Sequence, residues 1–134
     1  MYKGILFDFD GTLARTMEDN LEAWRAVTKG YGSDLKGDDY FPFEGLPMKE
    51  VAAKFFTSNG LTPPDVKDLV VRKDEWYLKH HRFSFYPGVE DLINSLARAK
   101  VPLGIVTAAL RDRLERTVPQ EFLEKFTTVL TGNM

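Results

Sequence analysis

The chain has 134 residues with a nearly balanced charge, since 20 acidic and 18 basic side chains give a formal net charge of −2. This balance gives no reason to expect a nucleic acid or an anionic membrane as a partner, and the absence of cysteine excludes disulfides and thiolate metal sites. No apolar stretch reaches the length of a membrane span and the N-terminus lacks a signal-peptide pattern, so we expect a cytoplasmic protein. The length suits one domain, or a small core with an added lobe.

The first predicted element is a short strand at residues 5–7, because an Ile-Leu-Phe run is too short for a helix and suits a strand buried on both faces. Asp8 and Asp10 follow it, at the position where parallel sheets bind their ligands. Two carboxylates about 4 Å apart repel by roughly 4 kcal/mol at an effective dielectric constant of about 20, and Mg²⁺ is a hard cation that would offset this repulsion. A polar turn is the alternative interpretation.

Residues 16–81 are predicted to form an all-helical insert. Thr16 can cap a first helix, which two glycines end. A second helix is predicted over 48–58, and a third over 62–80 from the capping sequence Thr-Pro-Pro-Asp, with Thr as the capping residue. The segment 31–47 between the first two helices is rich in Gly, Asp and Pro, and is predicted to be irregular.

Residues 82–134 alternate helical and strand-like patterns. In chain order these are a helix after the Pro-Gly turn at 87–88, a strand at 101–107, helical segments at 108–117 and 119–125, and a strand at 127–130. The order predicts an α/β fold, in which 1–15 and 82–134 form part of a doubly wound, Rossmann-like parallel sheet and 16–81 form an inserted helical cap.

The string Asp-Phe-Asp-Gly-Thr-Leu at 8–13 resembles the first motif of the haloacid dehalogenase-like superfamily, whose members are mainly phosphatases and phosphomutases. The helical insert and the Tyr-Pro-Gly-Val segment at 86–89 resemble its phosphoglycolate phosphatase and β-phosphoglucomutase subgroup. The resemblance implies that Asp8 is a nucleophile that becomes an aspartyl phosphate, and that Asp10 is the general acid and then the base. It also implies that Mg²⁺ is held by the Asp8 carboxylate, the Asp10 carbonyl oxygen and a later acidic residue.

The second motif of the family is a Thr or Ser at the end of the second core strand, which Thr107 matches. The resemblance implies that its hydroxyl and nearby backbone N–H groups bind the phosphoryl oxygens, with Phe9, Gly11, Thr12 and Ala108 as the neighbouring residues. A helix N-cap is the alternative role for Thr107, and both roles can coexist. The expected partner is a small phosphorylated metabolite, and the expected reaction is Mg²⁺-dependent hydrolysis of a phosphomonoester.

Two later motifs of the family, a Lys in a Gly-Lys-Pro setting and an acidic pair that completes the metal shell, have no match in this sequence. The resemblance covers nearly all of the chain but only the earlier part of a typical member, and we expect a C-terminal truncation. In the family the first strand is central, so residues 5–7 are expected to form an open apolar edge that can pair with another copy. A catalytically incompetent remnant or interaction module is the alternative to an active phosphatase.

Further residues bear on the type of reaction. Arg15-Thr16 stands where β-phosphoglucomutases carry Asp-Thr, and Asn20 stands where they carry a His, so a phosphomutase is a second alternative behind a phosphatase. Asp10 marks the phosphotransfer form of the first motif, because dehalogenases of the family lack this second Asp. A dehalogenase is therefore less favoured.

Two groups of charged residues are predicted to be solvated. Arg111, Arg113 and Arg116 are expected to form a basic helix face, and the block at 67–75 carries mixed charges that suit an exposed helix. The neighbouring histidines at 80–81 do not share a helix face, which disfavours a metal site there.

Overall fold

The computed structural model describes residues 3–32 and 37–133. The chain divides into an α/β unit, formed by Met1–Thr16 and Phe83–Met134, and a helical unit, formed by Met17–Arg82. The predicted boundaries, with a core at 1–15 and 82–134 and a cap at 16–81, each lie one residue before those of the structure. Among the described residues no helix combines the length and apolar character needed to cross a bilayer. The elements in chain order are β1 (Ile5–Phe7), α1 (Met17–Thr28), α2 (Gly37–Tyr40), α3 (Met48–Thr57), α4 (Val66–His80), α5 (Val89–Arg98), β2 (Leu103–Val106), α6 (Arg111–Thr117), α7 (Gln120–Leu123) and β3 (Thr128–Leu130).

The described part of the chain contains a three-stranded sheet in the order β1-β2-β3, with both strand pairs parallel. Phe7 lies opposite Ile105, and Ile105 lies opposite Val129. Each strand is a short apolar or β-branched segment, and the connections between consecutive strands contain helices, as parallel pairing requires. The predicted α/β class with a parallel sheet is confirmed.

The helices of the α/β unit cover one face of the sheet. Leu103 and Ile105 are buried in a core that includes Ile93 of α5, Leu114 of α6 and Phe122 of α7. Crossovers between parallel strands are almost always right-handed, and the order β1-β2-β3 advances in one direction, so both connections are expected on the same side of the sheet. The strand ends on this scaffold are therefore fixed by a single packed core.

The opposite face of the sheet is open. Leu6 is 71% exposed, and Val106 and Leu130 are each 44% exposed. In the described ranges, β1 has a hydrogen-bonded neighbour on one side, namely β2. The α/β unit thus presents an apolar edge strand, whereas its pairing with another copy stays a prediction.

In the helical unit, aromatic residues of α1 and α3 form a packed centre. The Trp24 ring lies 5.3 Å from the Phe55 ring in an edge-on arrangement, and both side chains are buried. Such edge-on pairs of rings contribute stability beyond the apolar area that they bury.

Helix α4 begins later than predicted. The capping role expected of Thr62 is wrong, because the carboxylate of Asp65 accepts the backbone N–H groups of Lys67 at 3.0 Å and Asp68 at 3.4 Å. Two consecutive prolines precede Asp65, and a residue followed by proline is disfavoured in the helical region. The helix therefore starts after the prolines.

The prediction of an exposed helix face at 67–75 is wrong for Lys73 and Asp74, which are buried. The Lys73 ammonium group donates hydrogen bonds to Asn20 Oδ1 at 2.5 Å and to Asp74 Oδ1 at 3.3 Å. It also lies 5.5 Å from the centre of the Trp24 ring. These partners offset the cost of removing a cation from water.

The predicted irregular segment 31–47 includes residues 33–36, which lie outside the described residues. The remainder contains α2 and a turn of 3₁₀ helix at Phe41–Phe43, so the prediction of irregular structure is wrong for these residues. A glycine-rich composition did not prevent short helical turns here, since the aromatic rings of Tyr40 and Phe43 both pack near Phe55.

Candidate active site

The predicted site residues follow the carboxyl ends of neighbouring strands. Asp8 comes directly after β1, and Thr107 comes directly after β2. Because Phe7 lies opposite Ile105 in the parallel pair, Asp8 and Thr107 leave the sheet at the same edge. This edge is where open parallel sheets bind their ligands.

Asp8 is solvent-exposed and is held by its own turn. The backbone N–H of Phe9 donates to Asp8 Oδ1 at 2.8 Å. Partial desolvation of the carboxylate raises the pKa of Asp8, the Phe9 N–H bond lowers it, the negative charge of Asp10 raises it, and the Thr12 hydroxyl lowers it, with a net rise. The two hydrogen bonds to Asp8 therefore offset only part of the cost of its desolvation and of its repulsion by Asp10.

This pKa shift predicts a pH-dependent stability difference. The folded chain binds the Asp8 proton more tightly than the unfolded chain, so the free energy of unfolding falls as the pH rises from the ordinary value of 3.8 through the raised pKa. We expect Asp8→Asn to melt at a higher temperature than the unmodified chain at neutral pH, with the difference closing at pH values below 3.8. Thermal unfolding followed by circular dichroism over this pH range measures it. Glu121→Gln, an exposed substitution on α7, is the control, and a difference that is independent of pH would contradict the assignment.

Asp10 is buried and its carboxylate is held by two other side chains. The Thr16 hydroxyl donates to Asp10 Oδ1 at 2.5 Å. The Arg113 guanidinium donates from Nη2 to Oδ2 at 2.8 Å and from Nη1 to Oδ1 at 3.3 Å. The orientation of the Asp10 carboxylate is therefore fixed by at least three hydrogen bonds.

The expectation that Arg113 belongs to a solvated basic face is wrong, because its side chain is only 4% exposed. Arg111 and Arg116 do make exposed ion pairs with Glu115 and Asp112 on the same helix. A signal for the difference is present in the sequence. Arg113 lies next to the buried Leu114 on the apolar face of α6, whereas Arg116 lies on the outer face.

The backbone N–H groups after Asp8 donate within a tight turn. Gly11 N–H donates to the Ala14 carbonyl at 2.9 Å, and Thr12 N–H donates to the Phe9 carbonyl at 3.1 Å. To bind a phosphoryl group, these two N–H groups would have to donate to its oxygens instead of to the carbonyls of the turn. The phosphate-binding roles of Phe9, Gly11 and Thr12 stay a prediction.

Thr107 is buried, and its Oγ1 accepts a hydrogen bond from the Ala109 N–H at 3.1 Å. Helix α6 begins only at Arg111, with Leu110 at its N-cap position, so the alternative role of Thr107 as an N-cap is wrong. A hydroxyl that accepts one bond can still donate its own hydrogen. Thr107 therefore has the chemistry that a phosphoryl oxygen requires.

The loop after β2 packs tightly against the loop after β3. A Cβ atom placed on Gly132 would lie 2.3 Å from the Ala108 carbonyl oxygen, so a side chain at this position would force the two loops apart. The Arg111 N–H also donates to Asn133 Oδ1 at 2.7 Å. This close approach holds Ala108, the remaining predicted phosphate neighbour, in place beside Thr107.

The donor set fits part of a Mg²⁺ site. The Asp8 carboxylate and the Asp10 carbonyl are the kinds of oxygen donor that a hard cation prefers, and a cation would further stabilise the partly compensated charge of Asp8. The Asp10 carboxylate is engaged by Arg113 and Thr16. In the described ranges, no group of three or more His, Cys, Asp or Glu side chains could hold a metal ion.

Comparison with known proteins identifies the family. The sequence matches the model for the haloacid dehalogenase-like hydrolase family over residues 5–134. The chain belongs to this family. The resemblance predicted from the first motif and the helical insert is thereby confirmed.

Curated relatives of this haloacid dehalogenase-like hydrolase include phosphatases. Pyrophosphatase PpaX of Listeria innocua is 30% identical over 132 residues, which make up 96% of this chain and 58% of the relative. Validoxylamine A 7'-phosphate phosphatase of Streptomyces hygroscopicus is 31% identical over 115 residues, which make up 86% of this chain and 54% of the relative. The chain thus spans somewhat more than half the length of these relatives.

Solved structures show the same fold. A hydrolase from Pseudomonas syringae superposes with a TM-score of 0.84 at 19% identity. The match covers 98% of this chain and 62% of the hydrolase. CbbY from Rhodobacter sphaeroides, solved in complex with phosphate, has a TM-score of 0.79 at 26% identity, with 100% and 65% of the two chains covered. The described fold is therefore that of haloacid dehalogenase-like hydrolases.

Proposed function

We propose that this chain carries the phosphoryl-transfer site of a Mg²⁺-dependent phosphatase. The observation that supports this best is the placement of an exposed carboxylate, Asp8, at the end of β1 beside Thr107 at the end of β2, in a chain that belongs to a hydrolase family. A carboxylate is an established covalent nucleophile. The raised pKa of Asp8 reflects a negative charge that binding of a cation would stabilise.

The proposed reaction proceeds in two steps. An Asp8 carboxylate oxygen attacks phosphorus and the bond to the leaving oxygen breaks. Asp10, which enters this step protonated, transfers its proton to the leaving oxygen, and an aspartyl phosphate remains. Water then attacks phosphorus, Asp10 accepts the proton of that water, and the bond to Asp8 breaks, which releases phosphate. Bound Mg²⁺, held by the Asp8 carboxylate and the Asp10 carbonyl, would supply neutralisation of the phosphoryl charge.

Thr107 and the loop amides are proposed to orient the phosphoryl group. The Thr107 hydroxyl accepts from Ala109 and has its own hydrogen to donate. Ala108, with Phe9, Gly11 and Thr12, would supply backbone N–H groups around the same oxygens.

Small phosphomonoesters are the proposed substrates. One of the two phosphatases above is named for validoxylamine A 7'-phosphate and the other for pyrophosphate, and the second name suggests that an anhydride belongs in the test as well.

The test is phosphate release from a panel of sugar phosphates, phosphoglycolate, pyrophosphate and p-nitrophenyl phosphate, with Mg²⁺ and with a chelator. We expect release that depends on Mg²⁺ for at least one substrate. Release at the same rate in chelator would contradict the metal dependence, and no release from any substrate would contradict the function. Rearrangement of a sugar phosphate without release of phosphate would instead favour the phosphomutase alternative.

A second candidate is a non-enzymatic module, and one observation favours it. Within the described part of the chain, no third acidic side chain joins Asp8 and Asp10 to complete a metal site. This candidate predicts weak Mg²⁺ binding by calorimetry together with no turnover on the same panel.

We also propose that the open edge of β1 pairs with a second copy of the chain. An edge strand offers unpaired backbone groups, and the exposed Leu6 adds apolar surface to it. Light scattering is expected to show a dimer for the unmodified chain and a monomer for Leu6→Lys. Leu92→Lys, at another exposed leucine on α5, is the control and should remain a dimer. A monomeric unmodified chain with well-protected amides at 5–7 would rule the pairing out.

A further inference from the structure

A buried ion pair joins α6 to the first motif. The Arg113 and Asp10 side chains are 4% and 5% exposed, and Arg113 Nη2 lies 2.8 Å from Asp10 Oδ2. The two residues are 103 positions apart in the sequence. The contact therefore connects the turn after β1 with the helix that follows the Thr107 loop.

Stability alone is a poor explanation for this pair. Two charges taken out of water lose hydration that their attraction only partly restores, and apolar residues of similar size often stabilise a fold as well or better. The other two arginines of the helix, Arg111 and Arg116, instead make exposed ion pairs within α6. The burial of Arg113 alone among these three arginines therefore calls for a role beyond stability.

The geometry around Asp10 is that of an oriented carboxylate. Arg113 donates to both oxygens, to Oδ1 at 3.3 Å and to Oδ2 at 2.8 Å, and the Thr16 hydroxyl donates to Oδ1 at 2.5 Å. A two-armed guanidinium fixes the plane of a carboxylate in a way that a single ammonium cannot. The helix that carries Arg113 also follows the Thr107 loop, so the carboxylate is oriented relative to the phosphate-binding edge.

We propose that Arg113 is a positioning residue that orients Asp10 as the base for the water-attack step, an inference that rests on the proposed function. In that step the water oxygen bonds to phosphorus, Asp10 accepts the proton of the water, and the phosphorus bond to the Asp8 oxygen breaks. In this role Arg113 acts through its hydrogen bonds to Asp10 and does not itself contact the reacting atoms. Loss of Arg113 is therefore expected to slow release of phosphate from the aspartyl phosphate, while formation of the aspartyl phosphate stays fast for a substrate whose leaving group needs no proton.

Rapid mixing with p-nitrophenyl phosphate separates the two steps. Its leaving group departs without a proton donor, so the first release of p-nitrophenolate reports attack by Asp8, and the later steady rate reports the water-attack step. Arg113→Lys keeps the charge but loses the two-armed geometry, and Arg113→Gln loses both. In both variants we expect a burst of p-nitrophenolate equal in concentration to the folded enzyme. The steady rate that follows should be about tenfold lower than that of the unmodified chain in the Lys variant and about a hundredfold lower in the Gln variant.

Arg116→Gln is the matched control, because Arg116 is an exposed arginine on the same helix, and it should match the unmodified chain. A merely structural role for Arg113 would lower the burst and the steady rate by the same factor, and that result would overturn the proposal. If Arg113→Gln does not fold, Arg113→Lys carries the test. In an Asp10→Asn background, Arg113→Lys should lower the steady rate no further. An unmodified chain that shows neither burst nor turnover would refute the proposed function. That result differs from an active unmodified chain whose Arg113 variants lose burst and steady rate by the same factor, which would overturn only the role of Arg113.

Discussion

Replacement of Asp8 by asparagine is expected to lower phosphate release by at least about 10³-fold, since an amide lacks the nucleophilic oxygen that forms the covalent intermediate. The substitution keeps the shape of the side chain, and the amide oxygen can still accept the Phe9 N–H bond. It also removes the charge that Asp10 repels, so the folded structure should persist. Activity and stability are therefore expected to change in opposite directions at neutral pH.

Asp112→Asn is the control for this experiment, because Asp112 is an exposed acid of the same unit and lies outside the proposed site. Its rate should equal that of the unmodified chain. Equal rates for Asp8→Asn and the unmodified chain, in a preparation freed of contaminating phosphatase, would remove Asp8 from the role of nucleophile.

Lys73→Met is expected to destabilise the helical unit by about 3–5 kcal/mol, the usual cost of removing one partner from a buried charged network. Methionine has a similar length and no polar atoms that could replace the ammonium group. Its introduction leaves Asn20 and Asp74 without the hydrogen bonds that they accept at 2.5 Å and 3.3 Å. Both tryptophans of the chain, Trp24 and Trp76, lie in this unit, so urea unfolding followed by tryptophan fluorescence reports on it directly.

Lys79→Met on the same helix is the matched control, because Lys79 is exposed, and its effect should stay within about 0.5 kcal/mol of the unmodified chain. A Lys73→Met variant as stable as this control would show that the buried cation contributes nothing to the fold of the helical unit.

The strands and the first motif could be predicted from the sequence because their signals are local. A run of three apolar residues followed at once by Asp8 and Asp10 is short enough to exclude a helix. The segments that became β2 and β3 are likewise short and rich in apolar and β-branched residues. The parallel order then follows from the helices between the strands.

The two buried cations could not be predicted in the same way. Arg113 and Lys73 stand in charged stretches that suit an exposed helix, and their burial depends on partners 103 and 53 residues away, Asp10 and Asn20. The position of Arg113 beside Leu114 marks the inner face of α6, but the partner of each cation is decided by tertiary packing, which residue periodicity does not encode. The start of α4 shows a third limit, since Thr62 and Asp65 both carry a capping side chain, and the hydrogen bonds that Asp65 accepts from Lys67 and Asp68 show which of them caps the helix.

The central claim is that Asp8 forms a covalent bond to phosphorus at the carboxyl edge of the sheet, beside Thr107. A crystal structure of the chain with Mg²⁺ and beryllium fluoride, a mimic of an acyl phosphate, tests this most directly. The account predicts beryllium bonded to an Asp8 carboxylate oxygen, with the Thr107 hydroxyl donating to a fluoride. Crystals that contain both reagents but leave the Asp8 carboxylate unmodified, with the fluoride complex absent or bound elsewhere, would contradict it.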